Sequence, residues 1–561
     1  MRNREEKLHT KDLETAPAEA GKTDAPGEQA ERDAMKTKHS GTLRNRSIKQ
    51  TPDAPLFHFR PLLFATLGSV CGILAFRFFL KGQSGKGFAV ILVFAAFLGL
   101  CFSERKVPLS RRVLAAALAV AFALASASVA ALRWNAYVSA GIPEQNYYAD
   151  GVVDKVSYGE NYTSFVLKRV KFLGTSGTYK TGYRVLVYAF GEERVDVSPG
   201  DAVRVYLRLK NRETEGEFAD YSLVNKLRYQ GTTYTEYVEV GGISPHPFDR
   251  VKRLAEDVID KTYSKEGGAV AKGILFGDTS EIEREDLAHF RELGIGHLFA
   301  VSGLHIGFLY GVLLLFLRKL SKRNPLRVIL PTILLVFYAG VCGFTPSSVR
   351  AVIMCLSSVT LGVIGLSHDR LNAVLLAGVT ILLIEPFQLL SYGFLLSFSC
   401  VLSMIVIGPT FTAAFSKLPK AIAESLSVFF SVQIGVFPVQ MALFSYAAPL
   451  NSLLNLVLIP FISVYYAVMV IGIFLTAIIP GFAGAMRVVA SVLGFLCEVI
   501  GKIPSDFALI SGWNLTYSMP LYYAGCLAVS YNLNLKRKWR IVFAISFFVA
   551  FAVLTALSGQ G

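Results

Sequence analysis

The sequence predicts a polytopic α-helical membrane protein with a small β-barrel inserted between its membrane regions. Three observations carry that expectation. The 561 residues are 53% hydrophobic with a mean hydropathy of +0.47, far too apolar for an ordinary soluble domain. Apolar runs long enough to cross a bilayer occur on both sides of the chain's middle. Between them, residues 146–243 change to short alternating segments separated by turn residues.

The first 60 residues are polar, rich in Ala, Glu, Lys and Thr, and hold no apolar core before Leu62. They read as a disordered cytoplasmic tail without a cleavable signal peptide. N-terminal transmembrane helices are expected over 61–133, from the runs Pro61–Leu80, Phe88–Phe102 and Val113–Leu132. Arg77 lies near one end of the first run, where its head can snorkel to the interface. The cluster Arg105, Lys106, Arg111 and Arg112 belongs in the cytoplasm by the positive-inside rule, so three spans deliver the next domain outside.

That domain, 146–243, is expected to contain about five strands: GVVDKVSYG, TSFVLKRVKFLG, YRVLVYAFG, AVRVYLRLK and TTYTEYVEVGG. Their number and spacing suit a small barrel. Such barrels bind single strands by stacking bases on aromatics beside a basic groove. Tyr158 and Tyr162 are candidate stackers, and Lys168, Arg169, Lys171 and Arg184 a candidate basic face. The plainer reading is that alternating aromatics pack the barrel, and the region's 13 basic residues are matched by 13 acidic ones.

After a linker and an amphipathic helix, 265–533 reads as a second membrane domain with an amphipathic segment near its start, and 541–557 as a C-terminal transmembrane helix. Pro331, Pro346, Pro386, Pro409, Pro438 and Pro460 punctuate the apolar runs, which points to broken or re-entrant helices. At 273–309 an acidic amphipathic run turns into an apolar one through Gly294, Gly296, Gly303 and Gly307. Backbone that leaves helical geometry inside a bilayer must be buried in protein or line a wet cavity, so this segment should face a polar path.

Several spaced motifs then resemble one family. GHLFAVSGLHIG at 296–307 is similar to the signature of the ComEC competence proteins, membrane channels that import single-stranded DNA. Gly277-Asp278, Thr345-Pro346-Ser347-Ser348-Val349-Arg350-Ala351, Glu385-Pro386-Phe387, Gly393-Phe394-Leu395-Leu396-Ser397-Phe398, Phe437-Pro438, Asn455 and Pro460 follow the family's order. The resemblance covers roughly residues 60–530. It implies an OB-like extracytoplasmic barrel, a bacterial cytoplasmic-membrane location, and a channel passing single-stranded DNA inward during transformation. It also implies an extracytoplasmic DNA receptor, a separate nuclease, a cytoplasmic ATP-driven translocase and a homodimer. Many relatives carry a metallo-β-lactamase-like domain with an HxHxDH-type metal motif; no histidine follows His368, so that domain and its metal are expected to be lacking here. No GxxxxGK[ST] loop occurs, which leaves ATP-driven pulling to a partner. The alternative is a transporter of another anionic or polar solute on the same scaffold.

Candidate channel-lining residues are Asp278, His297, Ser302, His305, Ser347, Arg350, Gln433, Gln440 and Asn455. Arg350 begins an apolar run, where an arginine costs about 2.5–3.5 kcal/mol on insertion scales unless paired or wetted. Its guanidinium suits a passing phosphate, or equally an ion pair with Asp278 or Glu385. Asp278 reads as a cap or turn residue as readily as a functional one. Ser302 and His305 are three apart, as a nucleophile and its base can be on a helix, but GxSxG is missing and no orienting Asp is identifiable. His297 and His305, eight apart without a nearby Cys, do not make a metal site. No catalytic residue, metal or cofactor is expected. The seven cysteines all lie in or beside apolar runs and suggest neither disulfides nor CxxC sites. The net charge of +15 has the positive-inside rule as its first explanation, with DNA phosphates as a second.

Overall fold

The computed structural model describes residues 60–103, 108–174, 177–214, 218–301, 303–320, 324–364, 369–444, 446–447, 453–504, 510–511, 519–530 and 537–558. The expected tail apart from Arg60, the basic residues Arg105 and Lys106, and Ser302 lie outside them. The described chain is mostly helical around one closed barrel.

Three helices come first: α1 (Pro61–Leu80), α2 (Ser84–Ser103) and α3 (Leu109–Ser139). Pro61 occupies the first turn of α1, where a missing N–H costs nothing. α1 and α3 approach closely because Gly68 and Gly72 face the backbone of Ala119 and Ala123. At 31 residues α3 is longer than its apolar run. Its far end enters the barrel's seat, where the Tyr137 hydroxyl donates to the Leu227 carbonyl at 2.7 Å.

The barrel comprises β1 (Asn146–Tyr158), β2 (Tyr162–Gly174), β3 (Gly177–Lys180), β4 (Arg184–Phe190), β5 (Asp201–Asn211), a short α4 (Ala219–Val224), β6 (Leu227–Tyr234) and β7 (Val238–Ile243). The pairing order β1-β2-β4-β6-β5 is closed by β1 against β5, and only β4–β6 is parallel. Alternation puts Tyr147, Phe165, Leu167, Val187, Leu207 and Tyr229 inside. TTYTEYVEVGG, expected as one strand, is two. The 3₁₀ turn Thr235–Tyr237 breaks it, and β6 starts earlier, at Leu227, where Leu227 and Tyr229 supply inward apolar positions.

The second helical region holds α5 (Pro247–Thr262), α6 (Lys265–Phe276), α7 (Arg284–Glu292), α8 (Gly303–Phe316), α9 (Leu326–Val341), α10 (Pro346–Ile364), α11 (Arg370–Ile384), α12 (Tyr392–Val406), α13 (Gly408–Ala414), α14 (Lys420–Phe444), α15 (Leu454–Ile478), α16 (Ala483–Gly501), α17 (Met519–Val529) and α18 (Arg537–Ser558). Among the described residues, five helices are long and apolar enough to cross a membrane: α1, α3, α14, α15, and Pro480–Gly501, which includes α16. α12 and α13 together make a sixth candidate, bent by 45° at its break.

The proline expectation holds at Pro409, which stands next to the 45° break between α12 and α13, and needs correction elsewhere. Pro331, Pro438 and Pro460 sit inside continuous helices, while Pro346, Pro386 and Pro409 open new elements at positions whose N–H needs no partner. Packing against neighbouring helices is what lets the three internal prolines stay helical. The amphipathic segment packs its apolar face on protein: Ile282, Phe290 and Leu293 join one buried cluster with α5, α6, α15 and α16.

Candidate functional site

A cleft of about 2970 Å³ separates the barrel from the second helical region. Its barrel wall includes Tyr158, Lys168, Arg169, Arg184 and Lys226. Its floor runs over Gly277–Ile282, Ala300-Val301 and Gly343–Ser347, and a third wall over Glu385–Gly393. Two of these surfaces come from segments whose glycines end a helix: Gly277 caps α6 at φ 74°, and Gly343 follows α9 at φ 78°.

Backbone strain collects here. Among the described residues, the non-glycine residues with left-handed backbone are Arg169 (φ 56°), Lys226 (φ 58°) and Phe344 (φ 52°), and all three line the cleft. Such conformations cost on the order of 1–3 kcal/mol each and persist where surrounding structure enforces them.

The cleft lining carries ten basic and ten acidic residues. Much of that charge is paired. Lys168 meets Asp249 at 3.0 Å and Asp154 at 3.3 Å, Arg169 pairs with Asp249, and Arg184 meets Asp154 at 3.0 Å. Three of the four residues of the candidate basic face therefore already have acidic partners, and Lys171 is exposed elsewhere on β2 and does not line the cleft. Tyr158 reaches the cleft, with the Arg194 guanidinium 5.6 Å from its ring centre, whereas Tyr162 packs against Tyr188 and Phe190.

Ion pairs also fix the barrel to the helices. Glu385 accepts from Lys226 at 2.6 Å and lies 3.5 Å from Arg133; Asp220 on α4 takes Arg77 and, at 2.5 Å, Lys81. Beneath the opposite side, α5 carries Asp249 toward β2 and Lys252 toward the floor. Asp278 accepts from Lys252 at 2.9 Å while its other oxygen takes the Ser280 N–H and hydroxyl, so it is both a turn residue and an ion-pair partner.

Glu256, 3% exposed, shares Lys252 at 3.5 Å and loses the competition to Asp278. Burial pushes its carboxyl from 4.5 up to about 7, with Lys252 opposing, while Asp278 stays below the usual carboxylate range because Lys252 and Ser280 outweigh its desolvation. A carboxyl whose folded value is raised contributes stability at low pH and loses it as pH rises through the folded value. Glu256→Gln is therefore expected to stabilise the protein at pH 8, by up to about 3 kcal/mol for a shift of this size. The advantage vanishes toward the unfolded value of 4.5. Thermal midpoints of both proteins across that range measure it, and parallel curves would contradict it.

Of the candidate channel-lining residues, Asp278 and Ser347 line the cleft. The Ser347 hydroxyl donates to the Val301 carbonyl at 2.7 Å, closing the floor. Arg350 and His305 lie behind that floor, 5% and 1% exposed, the imidazole stacked on Tyr466 at 4.6 Å. The ion pair of Arg350 with Asp278 or Glu385 does not form; both carboxylates are engaged elsewhere. His297 and Asn455 converge on one acceptor, the Gly294 carbonyl, each at 3.2 Å, which ties the start of α15 to the glycine turn. Gln433 and Gln440 are half-buried on α14, away from the cleft lining. Sequence reasoning missed Lys226, Asp249, Lys252 and Glu256 as residues that build the site; the last three had charge at helical spacing along α5 as their signal, and Lys226, just before β6, had none.

Comparison with known proteins places this geometry. The family described as "Competence protein" matches residues 274–535, the stretch that supplies the cleft's floor and third wall. ComE operon protein 3 of Bacillus subtilis (strain 168) is 26% identical over 215 residues, 38% of this chain and 27% of that protein. An uncharacterized protein of Aquifex aeolicus (strain VF5) is 29% identical over 217 residues, 38% of this chain and 49% of the relative. Uncharacterized protein YcaI of Escherichia coli (strain K12) is 26% identical over 206 residues, covering 35% and 27%. The chain thus aligns with between about a quarter and a half of these relatives' length. No solved structure matches. The motifs in their order and the match over residues 274–535, which form the cleft's floor and third wall, make this region similar to the competence proteins.

Proposed function

We propose that this protein is a multi-pass channel of the bacterial cytoplasmic membrane that passes single-stranded DNA inward during natural transformation, with the cleft beneath the barrel as its mouth. The cleft carries the reading: a cavity between a closed five-stranded barrel and the family's region, strained at its rim and ending on the Val301–Ser347 floor. We read the barrel as OB-like and extracytoplasmic, from its strand order with one parallel pair and from the three helices before it. A wall of balanced charge suits passage, because a conduit must release its cargo as well as admit it. Pulling is assigned to a cytoplasmic ATP-driven partner, delivery to an extracytoplasmic receptor, degradation of the other strand to a separate nuclease, and assembly to a homodimer.

The same charge balance favours a second reading, transport of another polar or anionic solute. A deletion strain separates the two. Loss of chromosomal-marker transformation, with fluorescent DNA still gathering outside the membrane, is the expected result; undiminished transformation would remove the DNA reading.

A further inference from the structure

Arginines buried in the described structure are Arg60, Arg77, Arg228 and Arg350, all 5–6% exposed. Three are compensated. Arg60 holds Asp369 with both carboxylate oxygens within 2.7 Å, Arg77 pairs with Asp220, and Arg228 donates to the Arg212 carbonyl at 2.6 Å while lying over the Tyr137 ring. Arg350 is the exception. Its described neighbours are soft and neutral: Met354 Sδ lies 3.7 Å from Nη1, and the Phe398 ring centre lies 5.8 Å from Cζ. What sets it apart is that no carboxylate or carbonyl oxygen lies against its guanidinium among the described residues.

Room is kept for that guanidinium. A Cβ added at Gly303 would stand 2.8 Å from Nη2, so glycine at the start of α8 leaves the space that the charge occupies. The arginine also sits directly behind the cleft: Ser347 and Val349, three residues and one residue before it on α10, belong to the lining, and the Ser347–Val301 hydrogen bond closes the floor above.

We infer that Arg350 is a phosphodiester site, engaged when the floor parts. This rests on the conduit reading above and gives its path a first binding step. A buried guanidinium without an anion is destabilising, and a carboxylate partner would both neutralise it and compete with a phosphate. Sulfur and an aromatic face hold the group weakly and release it without leaving a buried anion behind. Two oxygens of a backbone phosphate match the planar guanidinium. Opening of the floor is then favoured by whatever anion binds the open state better.

The test uses the full-length protein, purified in detergent, as wild type, Arg350→Met and Arg350→Lys. Without ligand, Arg350→Met is expected to melt above wild type by a few degrees, because it removes an uncompensated buried charge at similar volume. Oligothymidylate is expected to raise the midpoint of wild type, weakly that of Arg350→Lys, and not that of Arg350→Met. In cells Arg350→Met reaches normal protein levels and loses marker transformation. The inference is overturned if Arg350→Met melts below wild type, if the oligonucleotide shifts both proteins alike, or if phosphatidylglycerol reproduces the shift and the oligonucleotide does not. These measurements are independent of the deletion assay, so failure of the site and failure of the conduit reading are told apart.

Discussion

Gly72→Leu is expected to remove most of the folded protein. A Cβ at Gly72 would stand 2.2 Å from the Ala123 carbonyl oxygen, and one at Gly68 would stand 2.1 Å from that of Ala119. The obstacle in each case is backbone of a packed helix, which cannot swing aside as a side chain does. α1 and α3 must therefore separate, and Ile73 beside Gly72 loses its fully buried place against Val374, Ala377 and Leu382 of α11. Overpacking a well-filled core costs about 1–3 kcal/mol, and a leucine forced between two helix backbones belongs at or above the top of that range. The damage does not stay local, because Arg77 and Lys81 on α1 and Tyr137 on α3 seat the barrel through Asp220 and Leu227. Yield, monodispersity and thermal midpoint of the purified chain measure the effect. Gly99→Leu, with open space around its Cβ position, is the control and is expected to behave as wild type. Equal behaviour of the two variants would refute the packing account.

Much of the scaffold was legible because its signals are periodic. Alternation exposed the strands of the barrel, and the unbroken apolar run Pro61–Leu80 marked α1 with its own bounds. Proline misled because its effect depends on neighbours. Pro438 lies in α14, which stays one helix while Ser427, Ser431 and Gly435 bring it close to its surroundings, a tertiary fact absent from any local window. The split between β6 and β7 was hidden because Thr, Tyr and Glu alternate through the turn as they would through a strand.

Legibility of the site was uneven for a similar reason. Family motifs drew attention to Asp278, Ser347 and Glu385, and the structure brings all three to one cleft. The basic face chosen from Lys168, Arg169 and Arg184 looked available because their acids, Asp154 and Asp249, are distant in sequence or belong to another element. Arg350 presented the opposite case. Two acidic partners were conceivable from the sequence, and both are spent on lysines, Lys252 and Lys226. Only three-dimensional pairing distinguishes a guanidinium that is neutralised from one that is waiting.

The second large effect bears on the floor. Ser347→Cys, in a chain whose seven native cysteines are replaced, puts one thiol on the floor of the cleft, half-buried beside Val301. Cys342 must be among those replaced, since it lines the same cavity. The hydroxyl-to-thiol change by itself removes one hydrogen bond, worth about 0.5–1.5 kcal/mol net, and should leave the protein folded and importing. A bulky membrane-impermeant thiol reagent added outside competent cells is then the decisive measurement. The account predicts that Ser347→Cys is labelled from outside and that DNA import falls to background as DNA accumulates at the surface. Full labelling with undiminished import would mean that the strand does not pass this floor.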